Sequence, residues 1–321
     1  MRTIERIPNV SVSLASVFDE ISPISVGYSQ NSFELHSSLA TFNRKRLTPG
    51  EPGLDWQTDL LHTLPLQIAE GQFLEQERDK IRALASAAPR DVEGFLAWFQ
   101  ALKEVGPGQF DPLFDWLATS ASYAQMRWFI QQEFAGEAGF DDLVALAQLK
   151  LPVQAKLELA RNYWDEMGRG KAKSMHGPLL DHLAAEMDVL DTPETELVWE
   201  SLALGNVLVG LAVNRRFAYH ALGALGVIEL TAPTRAVKVA EGLERLGVSR
   251  NSSYYFRLHA TVDIVHAEDW QREVLAPIVA TNPDVAVHIA EGALMRLNAG
   301  ARCFDRYRAQ FCLGGPKAHL N

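Results

Sequence analysis

Three side chains able to bind metal stand close together in Arg257-Leu-His-Ala-Thr-Val-Asp-Ile-Val-His-Ala-Glu268: His259, Asp263 and His266, at i, i+4 and i+7 of a segment without Gly or Pro. Such a segment favours a helix, and at ~100° per residue the three side chains share one face, within about 60° of each other. At ~1.5 Å rise per residue the imidazoles stand ~10.5 Å apart along the axis, too far for one ion to hold both well. Two ions ~3.5–4 Å apart suit the spacing better, each taking one imidazole with the Asp263 carboxylate between them. The plain alternative is an ordinary solvated helix face.

A two-metal site needs further donors, and three other stretches offer them. In Arg127-Trp-Phe-Ile-Gln-Gln-Glu-Phe-Ala135, Glu133 ends an apolar and aromatic run, with Glu137 close by as an alternative. A solvent-facing Glu near a helix end would look the same. Glu166 and His176 are ten residues apart, which on one straight helix would separate them by ~15 Å and turn them ~80° from each other. Gly168 and Gly170 lie between them, where a helix can unwind or end, and a break there lets both side chains turn inward. In Ala221-Leu-Gly-Ala-Leu-Gly-Val-Ile-Glu229, Glu229 follows an apolar run that has little reason to keep a charge unless it meets a partner or a metal.

The elements that must position these donors read as helices, and no segment alternates like a strand for long. Residues 1 to about 55 show little periodicity and end in a cluster of turn formers, so they are expected as an extended arm and linker. A helical pattern follows from Asp55 to about Ala88, where Pro65 is expected to kink or break it. The next helix runs from Asp91 to Glu104. Further helices are expected near 111–135, 141–148, 152–167, 172–187, 194–213, 215–230, 232–246, 251–272 and 284–308. The chain thus divides into an N-terminal arm with accessory helices over 1–110, a helical metal-binding domain over 111–310 and a tail over 311–321. The fold class is all-α, and the absence of a fixed repeat argues against a solenoid.

At 321 residues and 47% hydrophobic content the chain can bury a full core. A formal net charge of −10, without a long basic run, leaves no footprint for nucleic acid or an anionic membrane. Met1-Arg-Thr-Ile-Glu-Arg-Ile-Pro carries charge where a secretory apolar region would begin, and no apolar stretch approaches a bilayer span. A soluble cytoplasmic protein with a small-molecule substrate is the expectation. Cys303 and Cys312 are too few for a disulfide scaffold and lack zinc spacing, so both are expected as buried apolar thiols. No Gly-x-Gly-x-x-Gly, Walker or Gly-x-Ser-x-Gly sequence supports dinucleotide, phosphoryl-transfer or serine-hydrolase chemistry. His182 is off the face of His176 and is expected to be exposed, and His288 with Glu291 reads as a surface pair. Arg296 and Arg302 could bind a substrate carboxylate, although a long helix usually shows Arg to solvent. Trp128, Tyr163 and Trp164 could wall a pocket or simply fill the core.

Taken in order, a Gln-Glu pair ending an early helix (Glu133), Glu-x9-His across Gly-x-Gly (Glu166, His176), a Glu closing a Gly-rich apolar helix (Glu229) and His-x3-Asp-x2-His (His259, Asp263, His266) resemble one family. It is that of the haem-oxygenase-like di-iron oxidases and oxygenases, also called iron-containing redox enzymes. The resemblance covers roughly residues 115 to 275, and the first 110 residues match nothing nameable. It implies a haem-oxygenase-like helical bundle holding two Fe(II) ions per chain, with O2 as co-substrate. It also implies a small amine, amino acid or fatty acid as substrate, oxidised by N-oxygenation, desaturation or C–C cleavage. Members are commonly dimers, and residues 56 to 104 are expected to help form a homodimer contact; an external electron donor is a further partner to consider. Donors without thiolate suit iron or manganese, and the resemblance implies iron. The competing readings are a haem-binding protein, for which one axial His would suffice, and a binding or scaffold protein that keeps the fold without redox chemistry.

Overall fold

The computed structural model describes residues 32–53 and 55–315, which contain helices and turns and no strand. Most of the expected extended arm therefore lies outside the described residues. Its described part is not extended, because α1 runs Ser32–Leu47. The sequence hid this helix because its docking face mixes the polar His36 and Asn43 with the apolar Leu39 and Phe42. His36 is buried and stacks on Trp199, and Asn43 donates its Nδ2–H to Asn206 at 2.9 Å.

The next helix, α2, spans Trp56–Ala85 behind an Asp55 cap and passes straight through Pro65. Pro65 removes the N–H that would reach the carbonyl of Leu61, but Leu61 is exposed, so water can serve that carbonyl and no break is needed. After α3 (Val92–Val105), the single helix expected over 111–135 is two: α4 (Pro112–Thr119) and α5 (Tyr123–Gly136). The division is caused by a capping box, in which Ser122 and Gln125 satisfy each other's backbone N–H. The chain continues through α6 (Phe140–Ala147), α7 (Val153–Glu166), α8 (His176–Glu186) and α9 (Trp199–Val213).

The hub is α10, Ala218–Arg245, which packs along α11 (Tyr254–Asp269) and α13 (Ala286–Gln310). A π turn at Trp270–Leu275 and the short α12 (Ala276–Thr281) join α11 to α13. Two helices were expected across Thr231-Ala-Pro233, yet α10 is continuous with Pro233 inside it. Pro233 takes away the N–H that would reach the carbonyl of Glu229, a loss of ~3 kcal/mol in an isolated helix interior. Here the helix is buried along most of its length, and that packing outweighs the loss. Two glycines set its distance from α13: a Cβ on Gly223 would collide with the Ile289 carbonyl, and one on Gly292 with the carbonyl of His220.

Ion pairs tie α2 to α13. Arg302 Nη1 donates to both carboxylate oxygens of Glu77 at 3.0 Å, and Arg302 does not line the cavity that holds the candidate donors. Glu291 is buried, which corrects the expected surface pair with His288: its Oε2 accepts from Arg78 Nε at 2.9 Å and lies 2.8 Å from His220 Nε2 and 3.2 Å from His288 Nδ1. The expectation for the thiols is half corrected as well. Cys303 is buried, but Cys312 is exposed just past the end of α13. His182 is exposed, as expected. No helix among the described residues is long and apolar enough to cross a membrane.

Candidate metal centre

Glu166 is the last residue of α7 and His176 the first of α8. Between them the chain makes two 3-10 turns, with Gly168, Arg169 and Gly170 all at positive φ (60°, 54° and 81°). That reversal brings Glu166 Oε2 to 2.6 Å from His176 Nδ1. On α11 His259, Asp263 and His266 are all buried, but the carboxylate shared between the two imidazoles is Glu166 and not, as the spacing suggested, Asp263. Glu229 enters from α10, also buried, with its Oε1 accepting from Asn162 Nδ2 at 2.6 Å.

Two triads result, Glu166–His176–His259 and Glu166–Glu229–His266, each able to put one donor atom per residue within 4.8 Å of the others. Glu166 belongs to both. Its Oε2 lies 3.7 Å from His259 Nε2, its Oε1 lies 3.7 Å from His266 Nδ1, and Glu229 Oε2 lies 3.4 Å from that same His266 nitrogen. Asp263 faces the same charges, and its buried Oδ1 has no hydrogen-bond partner; neither has His266 Nδ1. Burial, then the Glu229 and Glu166 carboxylates, push the Asp263 carboxyl well above its ordinary range. Buried carboxylates facing one another with open lone pairs are a donor set suited to cations.

Each histidine is also held from behind. The far nitrogen of His176, Nε2, lies 2.8 Å from Glu137 Oε1 and 2.9 Å from the Tyr255 hydroxyl. His259 Nδ1 is 2.7 Å from the Tyr255 carbonyl, and His266 Nε2 is 3.4 Å from Asp165 Oδ2. An acceptor on one ring nitrogen fixes the ring and leaves the other nitrogen for a metal, which is the usual arrangement behind metal-bound imidazoles. The same carboxylates strengthen the hold of the imidazoles on their protons. Burial alone would lower His266, but Glu229, Glu166 and Asp165 raise it to about 9, and Glu137 and Glu166 likewise overcome burial to raise His176.

Of the two early carboxylates, Glu137 reaches His176, while Glu133 belongs to neither triad. Glu133 lines the same cavity as Glu166, His176, His259 and Asp263, and its charge acts on Arg235 and Arg296. This cavity, of about 150 Å³, is otherwise walled by apolar side chains such as Phe114, Ile228, Phe256 and Phe304. The aromatics expected to wall it do not: Trp164 is exposed, Tyr163 packs on the core, and Trp128 lies edge-on to Tyr307 and Phe311. Sequence reading also missed Asp165, Tyr255 and Asn162 behind the donors. Only the adjacency of Asp165 to Glu166 was a usable signal.

The family model described as iron-containing redox enzyme matches residues 127–301, and the chain belongs to that family. The all-α bundle is accordingly haem-oxygenase-like. Among solved structures, two crystal structures of a CADD-like protein of unknown function from Nostoc punctiforme are similar at 20% identity. One aligns over 75% of this chain and 99% of its own with a TM-score of 0.49, the other over 74% and 95% with 0.46. No curated protein matches the chain.

Proposed function

We propose that the protein is a non-haem di-iron, O2-dependent oxidase or oxygenase acting on a small amine- or carboxylate-bearing metabolite, by N-oxygenation, desaturation or C–C cleavage. The observation that carries this reading is the pair of triads sharing Glu166. One carboxylate common to two donor sets would let two ions sit side by side, as paired-metal chemistry requires. Glu166, His176, Glu229, His259, Asp263 and His266 would hold them. Glu133 would have to turn from Arg235 and Arg296 to join.

Two Fe(II) ions bound there would supply two electrons for the reduction of O2. The chain's own part is charge, orientation and exclusion of water. With Nδ1 given to a metal, His176 keeps its proton on Nε2, directed at Glu137 Oε1. Asp165 and the Tyr255 carbonyl hold the other two rings in the same way. Apolar walls beside the donors keep a substrate close and bulk water out.

This reading carries a homodimer and a cytoplasmic location with it. Trp56, Leu60 and Leu61 are exposed on α2, within the region expected to form the contact, and sedimentation as a monomer at micromolar concentration would rule the dimer out. The chemistry is tested by anaerobic Fe(II) titration followed by O2 mixing. Two irons per chain and a transient visible absorption are expected. A chain that binds no metal and shows no iron-dependent O2 uptake with amino acids, amines or fatty acids would sink the proposal.

A further inference from the structure

The cavity has two ends of opposite character. At one end are the clustered donors described above. At the other, Arg235 of α10 and Arg296 of α13 turn inward, where helices on a protein surface would show such residues to water. No carboxylate among the described residues comes within ion-pair distance of either guanidinium. Among the described residues Arg235 has one hydrogen bond, from Nη2 to Thr231 Oγ1 at 3.2 Å, and the buried Nε of Arg296 has no partner. Glu133 is the one carboxylate whose charge reaches both. Most buried arginines are fully paired, because the cost of removing the charge from water must be met by hydrogen bonds. Both residues are half-buried, and the Arg296 Nε is a buried donor left over.

The pair is also held in place. The Arg235 guanidinium carbon lies 5.7 Å from the Phe304 ring centre and 6.0 Å from that of Phe114, which favours the cation where it is. Arg296 lies over Gly300, where a Cβ would stand 2.7 Å from Nη1, so only glycine leaves the guanidinium its position. Two positive charges and the Glu133 carboxylate leave one positive charge unbalanced at this end. One monoanion closes the balance; an ammonium group carried on the same end would reopen it. Planar forks of N–H donors match a carboxylate in shape as well as charge.

We propose that Arg235 and Arg296 form the carboxylate-recognition site for the substrate, so that an apolar-bodied carboxylic acid lies with its acid group on the arginines and its body towards the clustered donors. This rests on the di-iron reading for what happens next, but not for the binding itself. Binding is therefore measured on the metal-free full chain by calorimetry and thermal shift, with hexanoate and phenylacetate as probes against hexanamide and hexylamine. Both acids are expected to bind, with the amide and the amine weaker by roughly tenfold or more. Arg235→Met and Arg296→Met should each remove the preference for acid over amide, and Gly300→Ala should weaken it while keeping both charges. The wild-type comparison stands even if a variant fails to fold. Equal binding of amide and acid, no binding of either acid, or an undiminished preference in folded arginine variants overturns the proposal. Iron content measured on the same variants keeps the two readings apart. Acid-selective binding by a chain that takes no iron would uphold this site and sink the di-iron reading.

Discussion

Glu166 Oε2 stands 2.6 Å from His176 Nδ1, although the two residues end one helix and begin another. The reversal that joins them depends on Gly168. It sits at φ 60°, and a Cβ there would lie 2.5 Å from the Ser174 carbonyl carbon and 2.7 Å from its oxygen, so backbone would have to move. Gly168→Ala is therefore expected to separate Glu166 from His176, costing about 1–3 kcal/mol of stability and lowering iron per chain. Gly177→Ala, where an added Cβ meets nothing within 4 Å, is the control. Metal analysis and thermal melting check both; a Gly168→Ala protein with normal iron content and melting temperature would refute the argument.

Asp263→Asn should change iron binding and metal-free stability in opposite directions. Asp263 is buried against Glu229 and Glu166 with one oxygen unpartnered, so without metal it contributes repulsion and a desolvated acid. Replacing this destabilised acid with an amide is expected to raise the melting temperature of the metal-free protein, by about 1–2 °C for each kcal/mol relieved. The same change removes a donor, so iron affinity falls. A variant less stable than wild type in metal-free form would show that Asp263 is held by contacts, not by a cation.

How much of this site was legible in the sequence depended on whether one helix or several carried it. His259, Asp263 and His266 share a helix, so spacing alone placed them on one face, and the structure shows that face to be buried. Glu166 and His176 needed a break, and the glycines between them announced it. Glu137 just past α5, Asp165 of α7 and the Tyr255 hydroxyl of α11 act across space, and no periodicity reports which group will stand behind which imidazole. The same limit hid the cavity arginines, since residues 235 and 296 meet only because α10 and α13 pack together. In the fold, helices with an apolar stripe were readable, whereas α1 was lost because His36 and Asn43 interrupt the buried face that Leu39 and Phe42 share with them. The two prolines misled because the local rule was outvoted, by solvent at Pro65 and by packing at Pro233.

Acid should weaken the junction of α2, α10 and α13. Burial alone would raise the Glu291 carboxyl, but hydrogen bonds from His220, Arg78 and His288 hold it at about 2, below its ordinary 4.5. Burial lowers His220 below 6.5 against the pull of Glu291, so the folded protein keeps it neutral. Both groups bind fewer protons folded than unfolded, so both stabilise at higher pH. The His220 contribution is lost as pH falls below 6.5, and that of Glu291 as pH falls from 4.5 towards 2. Glu291→Gln is expected to cost about 1–3 kcal/mol at pH 7, with the gap to wild type narrowing by pH 3. Denaturant melts at both pH values decide it, and a gap of constant size would show that the carboxylate charge is not what matters.

The turn region between α7 and α8 is expected to be the most labile part of the centre when metal is absent. Glu229 sits on α10, buried along most of its length, and His259, Asp263 and His266 on α11 packed against it. By contrast Lys171, Ala172 and Lys173 are exposed, and short 3-10 turns supply the backbone hydrogen bonds there. Three carboxylates, those of Glu166, Glu229 and Asp263, face a common space, and their repulsion is relieved at least cost where the fewest apolar contacts must be given up. Only Glu166 is carried next to such a segment, so opening there separates it from the other two. Hydrogen exchange on metal-free protein should therefore be fast over residues 167–178 and slow over 255–270, and anaerobic Fe(II) should slow the first region while leaving the second unchanged. The competing possibility is a rigid, preformed site in which the glycines merely end one helix before the next begins. Equal protection of both regions without metal, unaffected by Fe(II), would establish that rigid site, because repulsion among the carboxylates would then be borne without any local opening.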